Sequence, residues 1–363
     1  MPLPPNTTRG LGGYAPGIET AIFDFQREAY PHRRVDLIVP RWRWMFVESA
    51  QRLGVKPMIW VYRDNNRITA HQGAIPVRLQ VCGEEHTTGW FVETMVLESV
   101  RGKTVGPAVV MKAKQDLPFN ISLGQTPQMR ELQFRLGWRQ ITPLKTFILP
   151  INVNAVFRQK IPTPILRQSL AAAVKIRTGL KRAVSRRTAM VKAERIDTFD
   201  GRHDALWHSV CDEYACAVVR DASYLNWKYT VQPGQDFIRL EFSARGHLIG
   251  VAVLSCRDAD SLYHYTRAFI VDMVVSSQDA NALAAMLDSI VHESARLGID
   301  ALGVHIHSPR IEAAIQNFGF IRRESTRFLL VSPGHESNTV NEAISTPGNW
   351  LLTMGDSDID RPW

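Results

Sequence analysis

The chain has 363 residues, a net charge of +8, 45% apolar and 21% charged side chains. That composition excludes a disordered or fibrous protein, and the length points to two domains of ordinary size. With no run of eighteen apolar residues and no signal-like core in the Pro/Gly-rich segment 1–18, neither a membrane span nor secretion is expected. Four scattered cysteines (82, 211, 216 and 256) form no CxxC pair, so reduced thiols in a cytoplasmic protein are expected.

In chain order, residues 22–29 and 41–53 carry helical patterns, the second with Trp44, Val47, Ala50 and Leu53 in one stripe. The period then changes. Residues 58–62 read as a strand and Asp64-Asn65-Asn66 as a turn. Residues 67–81 are extended, with Gly73 and Pro76 marking a bulge or bend, and Glu84-Glu85 is expected to turn the chain. Residues 90–97 form the next strand. A glycine-bearing turn, Arg101-Gly102-Lys103-Thr104-Val105-Gly106, leads from it into a helical run at 107–114. A short strand at 119–123 precedes a helix opened by Thr126-Pro127 and closed near Gly137, and 141–149 returns as one strand.

The second half repeats the plan. Helices are expected at 205–217 and 222–228, and strands at 237–242 and 248–256 around Arg245-Gly246. A strand region follows at 262–275, then an amphipathic helix at 280–297 and a strand at 301–306. Ser308-Pro309 opens a helix ending near Gly319, and 320–331 is the last strand. Five segments result: a flexible 1–18, a domain over 19–149, a basic linker over 150–197, a second domain over 198–332, and a tail over 333–363.

The glycine turn is the most informative stretch. A turn that runs into a helix start presents several N–H groups at the positive end of the helix dipole, where phosphates bind. Gly102 and Gly106 let the backbone approach closely, and Arg101 and Lys103 add charge neutralisation. On these residues both halves resemble the GCN5-related N-acyltransferase superfamily, whose Arg/Gln-x-x-Gly-x-Gly/Ala turn holds the pyrophosphate of acyl-CoA. Arg101, Thr104 and Gly106 stand at the matching places, with Thr104 where a glycine is usual; Gly137-Trp138 and Gly319-Phe320 match the aromatic that closes that fold.

The resemblance implies an α+β fold of two tandem domains, each a mixed, largely antiparallel central sheet flanked by helices. It implies acetyl-CoA or another acyl-CoA as cosubstrate, no metal, and direct attack by the amine of a small metabolite or amino sugar. The carbonyl-polarising N–H is then expected from the strand before the turn, at Met95 or Val96. Base candidates are Glu93 and Glu98, and His71 on the neighbouring strand. The family's tyrosine acid is replaced by Gln133 in the first half and Ile315 in the second. The second half lacks the turn: its region reads Val275-Ser276-Ser277-Gln278-Asp279-Ala280-Asn281, with Asp279 where phosphate would lie, so no CoA is expected there.

Between residues 158 and 195 lie eleven Lys or Arg and one acid, Glu194, an excess of +10 that leaves −2 for the rest of the chain. A basic amphipathic helix there, with Arg182, Arg186 and Arg187 as its exposed cations, could meet an acyl carrier protein or anionic membrane; tRNA ranks below these. It could also simply join the domains. Tyr224 and Trp227 could stack an acceptor or pack in the core. His305 and His307 share a strand face without a third ligand, so no zinc site is assigned. In the tail, Asp356, Asp358 and Asp360 follow an apolar Trp350-Leu351-Leu352 that should pack; the acids could hold the acceptor amine or pair with the linker. Two competing readings are an aminoacyl-tRNA-dependent transferase and a non-catalytic partner- or membrane-binding module on the same scaffold.

Overall fold

A computed structural model describes residues 9–65, 67–185 and 191–360, without the side chains of 174–178 and 180–185. The first half begins with β1 (Arg9–Gly13), α1 (Glu19–Ala29), α2 (Val35–Trp42), a π-helical turn at Arg43–Glu48 and α3 (Ser49–Leu53). Three antiparallel strands follow: β2 (Met58–Asp64), β3 (Arg67–Val81) and β4 (Glu84–Val96). Then come α4 (Val105–Asp116), β5 (Asn120–Leu123), α5 (Pro127–Arg135), β6 (Arg139–Pro143) and β7 (Lys145–Pro150). Helices α6 (Val153–Phe157) and α7 (Pro164–Ser185) and strand β8 (Val191–Arg195) lead to the second half. It comprises α8 (Gly201–Val210), β9 (Cys216–Val218), α9 (Ala222–Tyr229), β10 (Phe237–Ala244), β11 (His247–Arg257) and β12 (Arg267–Val275). It ends with α10 (Ala280–Arg296), β13 (Ala301–His307), α11 (Pro309–Phe318), β14 (Ile321–Arg323), β15 (Phe328–Ser332), α12 (Asn338–Ser345) and β16 (Leu352–Thr353).

These strands build two mixed, mostly antiparallel sheets, and the halves exchange strands. One sheet runs β1-β2-β3-β4-β5-β15-β6 with β9 on β3; the other runs β14-β7-β13-β12-β11-β10-β8 with β16 on β13. The strands expected at 141–149 and 320–331 are therefore each two strands, one per sheet. Both break at the same crossing: Leu144 N–H donates to Arg327 O at 2.9 Å, and the Ser325 hydroxyl donates to Leu144 O. The hairpin turn lies at Cys82-Gly83, not Glu84-Glu85, because both residues adopt positive φ (52° and 87°) as a tight hairpin turn requires. The helix expected at 205–217 stops at Val210, and Cys216–Val218 extends the first sheet instead.

Alternation along β2 explains how the sheet is sandwiched. Ile59 and Val61 face a core shared with the second half, whereas Trp60 faces Val109, Val110 and Ala113 of α4. At the seam between halves, Trp44 and Trp227 stack at 4.8 Å. Tyr224 and Trp227 are both buried here, in the core alternative given for them above. Helix α7 lies on α10 and α11 of the second half; its Arg182 side chain, with Arg186 and Arg187, lies outside the described residues. No helix among the described residues is long and apolar enough to cross a membrane.

Candidate active site

Strands β4 and β5 are parallel but pair at one position only, Trp90 with Ile121. Beyond it β4 stays with β3 and β5 goes with β15, so the sheet splits into a wedge. A cleft of about 200 Å³ opens there, and Tyr30, Arg33, Glu93, Met95, Gln133 and Asp358 are among its walls.

The wedge depends on a bulge in β4. Pairing slips between His71–Met95 and Gly73–Val92, leaving Glu93 and Thr94 opposite Gln72. Glu93 sits in the left-handed region, with φ 56°, a conformation that must be held by its surroundings. Three contacts hold it. The His71 Nδ1–H donates to Glu93 O at 2.9 Å, the Thr94 hydroxyl donates to Gln72 Oε1 at 2.5 Å, and Arg33 clamps the Glu93 carboxylate through both prongs at 2.6 and 2.8 Å. Gly73 is needed because a Cβ would lie 2.6 Å from the Phe46 ring.

The three base candidates thus separate. Glu93 is buried at the cleft wall and ion-paired. His71 is fully buried behind the bulge, between the Phe25 and Phe46 rings, and burial lowers its pKa; it props the backbone and does not line the cleft. Glu98 is exposed on the single turn Glu98–Val100. Arg33 was not foreseen, whereas Asp358 is one of the tail acids offered above as holding the acceptor amine, and it lines this cleft. Burial opposes the Arg33 charge, but Glu93, with help from Tyr30 and Asp358, more than offsets it, so its pKa is raised.

Just beyond the wedge, the 101–106 turn is built as an amide cradle. Arg101 N–H and Lys103 N–H donate back to Glu98 O and Val100 O, at 3.1 and 3.3 Å. The first bond of α4 is Ala108 N–H to Thr104 O, and the helix has no side-chain cap. The N–H groups of Gly102, Thr104, Val105 and Gly106 therefore take no partner among the described residues. Gly102 has φ 77°, whereas Thr104 has φ −71°, so the threonine needs no glycine conformation. Gly106 lies close to β4: a Cβ would stand 3.1 Å from Val96 Cγ2. Arg101 and Lys103 are exposed beside it.

The second half has the same plan with different contents. Its β12–β13 pairing runs from Arg267–Ala301 to Ile270–Val304, and then the tail enters. Strand β16 pairs with β13, and Gly355 N–H reaches Val271 O of β12 at 2.6 Å. At the β12 bulge, Asp272 accepts from Arg220 Nε (2.9 Å), Tyr229 OH (2.7 Å) and Thr353 Oγ1 (3.0 Å). This buried Arg220–Asp272 pair is the counterpart of Arg33–Glu93. Asp279 caps Asn281 and Ala282 N–H, as its position implied.

The tail acids meet buried cations, not the basic linker. Asp356 pairs with Arg220 at 2.9 Å, Asp360 with Lys228 at 3.2 Å, and Asp358 reaches the first-half cleft. Between them Ile359 passes over Gly124, where a Cβ would come within 2.3 Å of it. His307 bonds Thr142 and lies 3.2 Å from Glu312, while His305 bonds Thr146; no group of three or more metal-ligating side chains occurs among the described residues.

No protein-family model matches the chain, and no curated protein matches its sequence. Solved structures do resemble it. A GCN5-related N-acetyltransferase from Anabaena variabilis is 9% identical with TM-score 0.62, over 90% of this chain and 72% of that one. A probable N-acyltransferase from Enterococcus faecalis is 10% identical with TM-score 0.60, over 91% and 73%. The Saccharomyces cerevisiae N-myristoyltransferase with bound myristoyl-CoA is 11% identical with TM-score 0.53, over 96% and 90%. With its two wedge-bearing sheets, the chain has the fold of the GCN5-related N-acyltransferases in tandem.

Proposed function

We propose that the protein is an N-acyltransferase that moves an acyl group from acyl-CoA to the amine of a small metabolite, with one donor site per chain in the first half. The observation that carries this reading is the alignment of three features: four amides at the 101–106 turn without a partner among the described residues, the adjoining β4 bulge, and the β4–β5 wedge. The amides suit a diphosphate. The wedge suits an extended thioester arm. In the second half the tail fills the wedge and Asp279 caps the helix, which favours a supporting role there.

Leu97 N–H is turned to Thr69 O on β3, at 2.9 Å. Strand alternation turns Val96 N–H the other way, toward the wedge, so Val96 rather than Met95 is the amide proposed to polarise the thioester carbonyl. The amine nitrogen attacks that carbon, the C–N bond forms, and the C–S bond breaks to release CoA thiolate. Glu93 and Asp358 together outweigh the single Arg33 charge in the cleft, so an ammonium is attracted and its proton has a carboxylate to accept it. Gln133 lines the same cleft and cannot act as an acid, so water protonates the thiolate.

The test is thiol release from acetyl-CoA and myristoyl-CoA against a panel of amines that includes amino sugars and amino acids. Acceptor-dependent release that falls at least tenfold in Asp358→Asn supports the reading. CoA binding without any turnover would favour the non-catalytic module. Steeply salt-dependent tRNA binding without CoA binding would favour the aminoacyl-tRNA reading.

A further inference from the structure

A larger cleft, about 820 Å³, opens on the second sheet and shares no lining residue with the donor cleft. Its floor is one face of the exchanged strand β7 and its neighbours. Ile148 lies in register with Ile321, and Thr146 with His305 and Arg323. Phe157 forms part of one wall, and Tyr263, in edge contact with Tyr265 at 5.8 Å, forms another.

The charge of this cleft is one-sided. Arg158, Lys160, Arg323 and Arg327 line it against one acid, Glu324. None of the four cations has a carboxylate partner among the described residues, whereas nearby Arg267 and Lys145 pair with Asp260 and Glu312. Arg327 is the pivotal one. It is half-buried, its guanidinium has no acceptor among the described residues, and burial lowers its pKa. A desolvated guanidinium without a counter-charge is costly unless an anion arrives. His305, whose pKa burial and then Arg327 push down to about 3, adds no positive charge at neutral pH.

We propose that this cleft binds a small organic anion that joins a phosphate or carboxylate group to an apolar or aromatic body. The guanidinium fork matches either oxyanion through two parallel hydrogen bonds, and the volume falls in the range of small-molecule sites. Ile148, Ile321 and Phe157 receive the apolar part. The site is independent of the acyl-transfer reading.

The experiment is calorimetric titration of the full chain with 1-naphthyl phosphate and 1-naphthoate, with inorganic phosphate and 1-naphthol as the separated halves. One aryl anion should bind saturably, one per chain, and at least tenfold more tightly than either half. That binding should weaken at least tenfold in Arg327→Gln and in Arg323→Glu and persist in Gly106→Asp; which aryl anion binds better separates phosphate from carboxylate recognition. Absence of binding, an affinity that either arginine variant leaves unchanged from the parent, equal binding of 1-naphthol, or displacement by CoA would overturn the proposal. An unchanged far-UV circular dichroism spectrum and melting temperature of Arg327→Gln show that the variant is folded.

Discussion

Trp44 and Trp227 donate their indole N–H groups to each other's backbone carbonyls, at 2.8 and 3.1 Å, across the seam between the two halves. The exchange is reciprocal, as expected when two copies of one plan meet about a local twofold axis. With β7 and β15 crossing into opposite sheets, the contact lies in one core cluster shared by both halves.

The seam should therefore melt as one unit. Trp227→Phe keeps a stacked ring but leaves Trp44 O without its donor, a loss of about 1–2 kcal/mol. Trp227→Ala should cost about 3–5 kcal/mol. Chemical denaturation followed by far- and near-UV circular dichroism should give one coincident transition in each variant; two resolved transitions would mean that the halves fold separately.

The Arg33–Glu93 pair makes a second prediction. The Glu93 side chain is 1% exposed and that of Arg33 20%, so removing one partner strands a charge. Arg33→Met should cost about 3 kcal/mol, and Arg33→Met/Glu93→Leu should recover part of it, because the cost lies in the orphaned carboxylate. Urea midpoints of the single and double variants decide this.

Protonation of buried histidines gives a third. His71 and His305 have pKa values lowered by burial, His305 to about 3. The unfolded chain takes up these protons near pH 6.5, before the folded chain does. Stability contributed by the neutral histidines is thus complete above about pH 6.5 and is lost as pH falls, by up to about 1.4 kcal/mol per unit per histidine. For His305 the loss continues to about pH 3. Between pH 6.5 and 5, before most carboxylates titrate, His305→Gln should have a shallower slope of stability against pH than the parent. An unchanged slope would contradict the assignment.

The turn residues make a fourth. Thr104 has φ −71° and Gly102 has φ 77°. Thr104→Gly should leave CoA affinity within about threefold, whereas Gly102→Val should weaken it by about tenfold or more through backbone strain. Fluorescence competition against a CoA conjugate measures both.

Legibility in the sequence followed locality. The strand, glycine turn and helix at 90–114 are contiguous, so their order and the amide cradle could be read directly. The Arg33–Glu93 pair spans sixty positions and joins a loop after α1 to a bulge, with no local pattern to link them. The strand exchange was hidden because apolar residues continue through Leu144, so 141–149 reads as one strand although its two parts enter different sheets. The tail misled for a related reason. Alternate aspartates look solvated, yet Asp356 and Asp360 are buried against Arg220 and Lys228, cations more than a hundred positions away.

The most direct test of the central claim is calorimetry of CoA with the full chain and with Gly106→Asp, which adds a negative charge at the cradle on a Cβ 3.1 Å from Val96 Cγ2. One CoA per chain, weakened at least tenfold by that substitution, is the predicted result. No heat of binding at millimolar CoA, or an affinity that Gly106→Asp leaves unchanged, would contradict it.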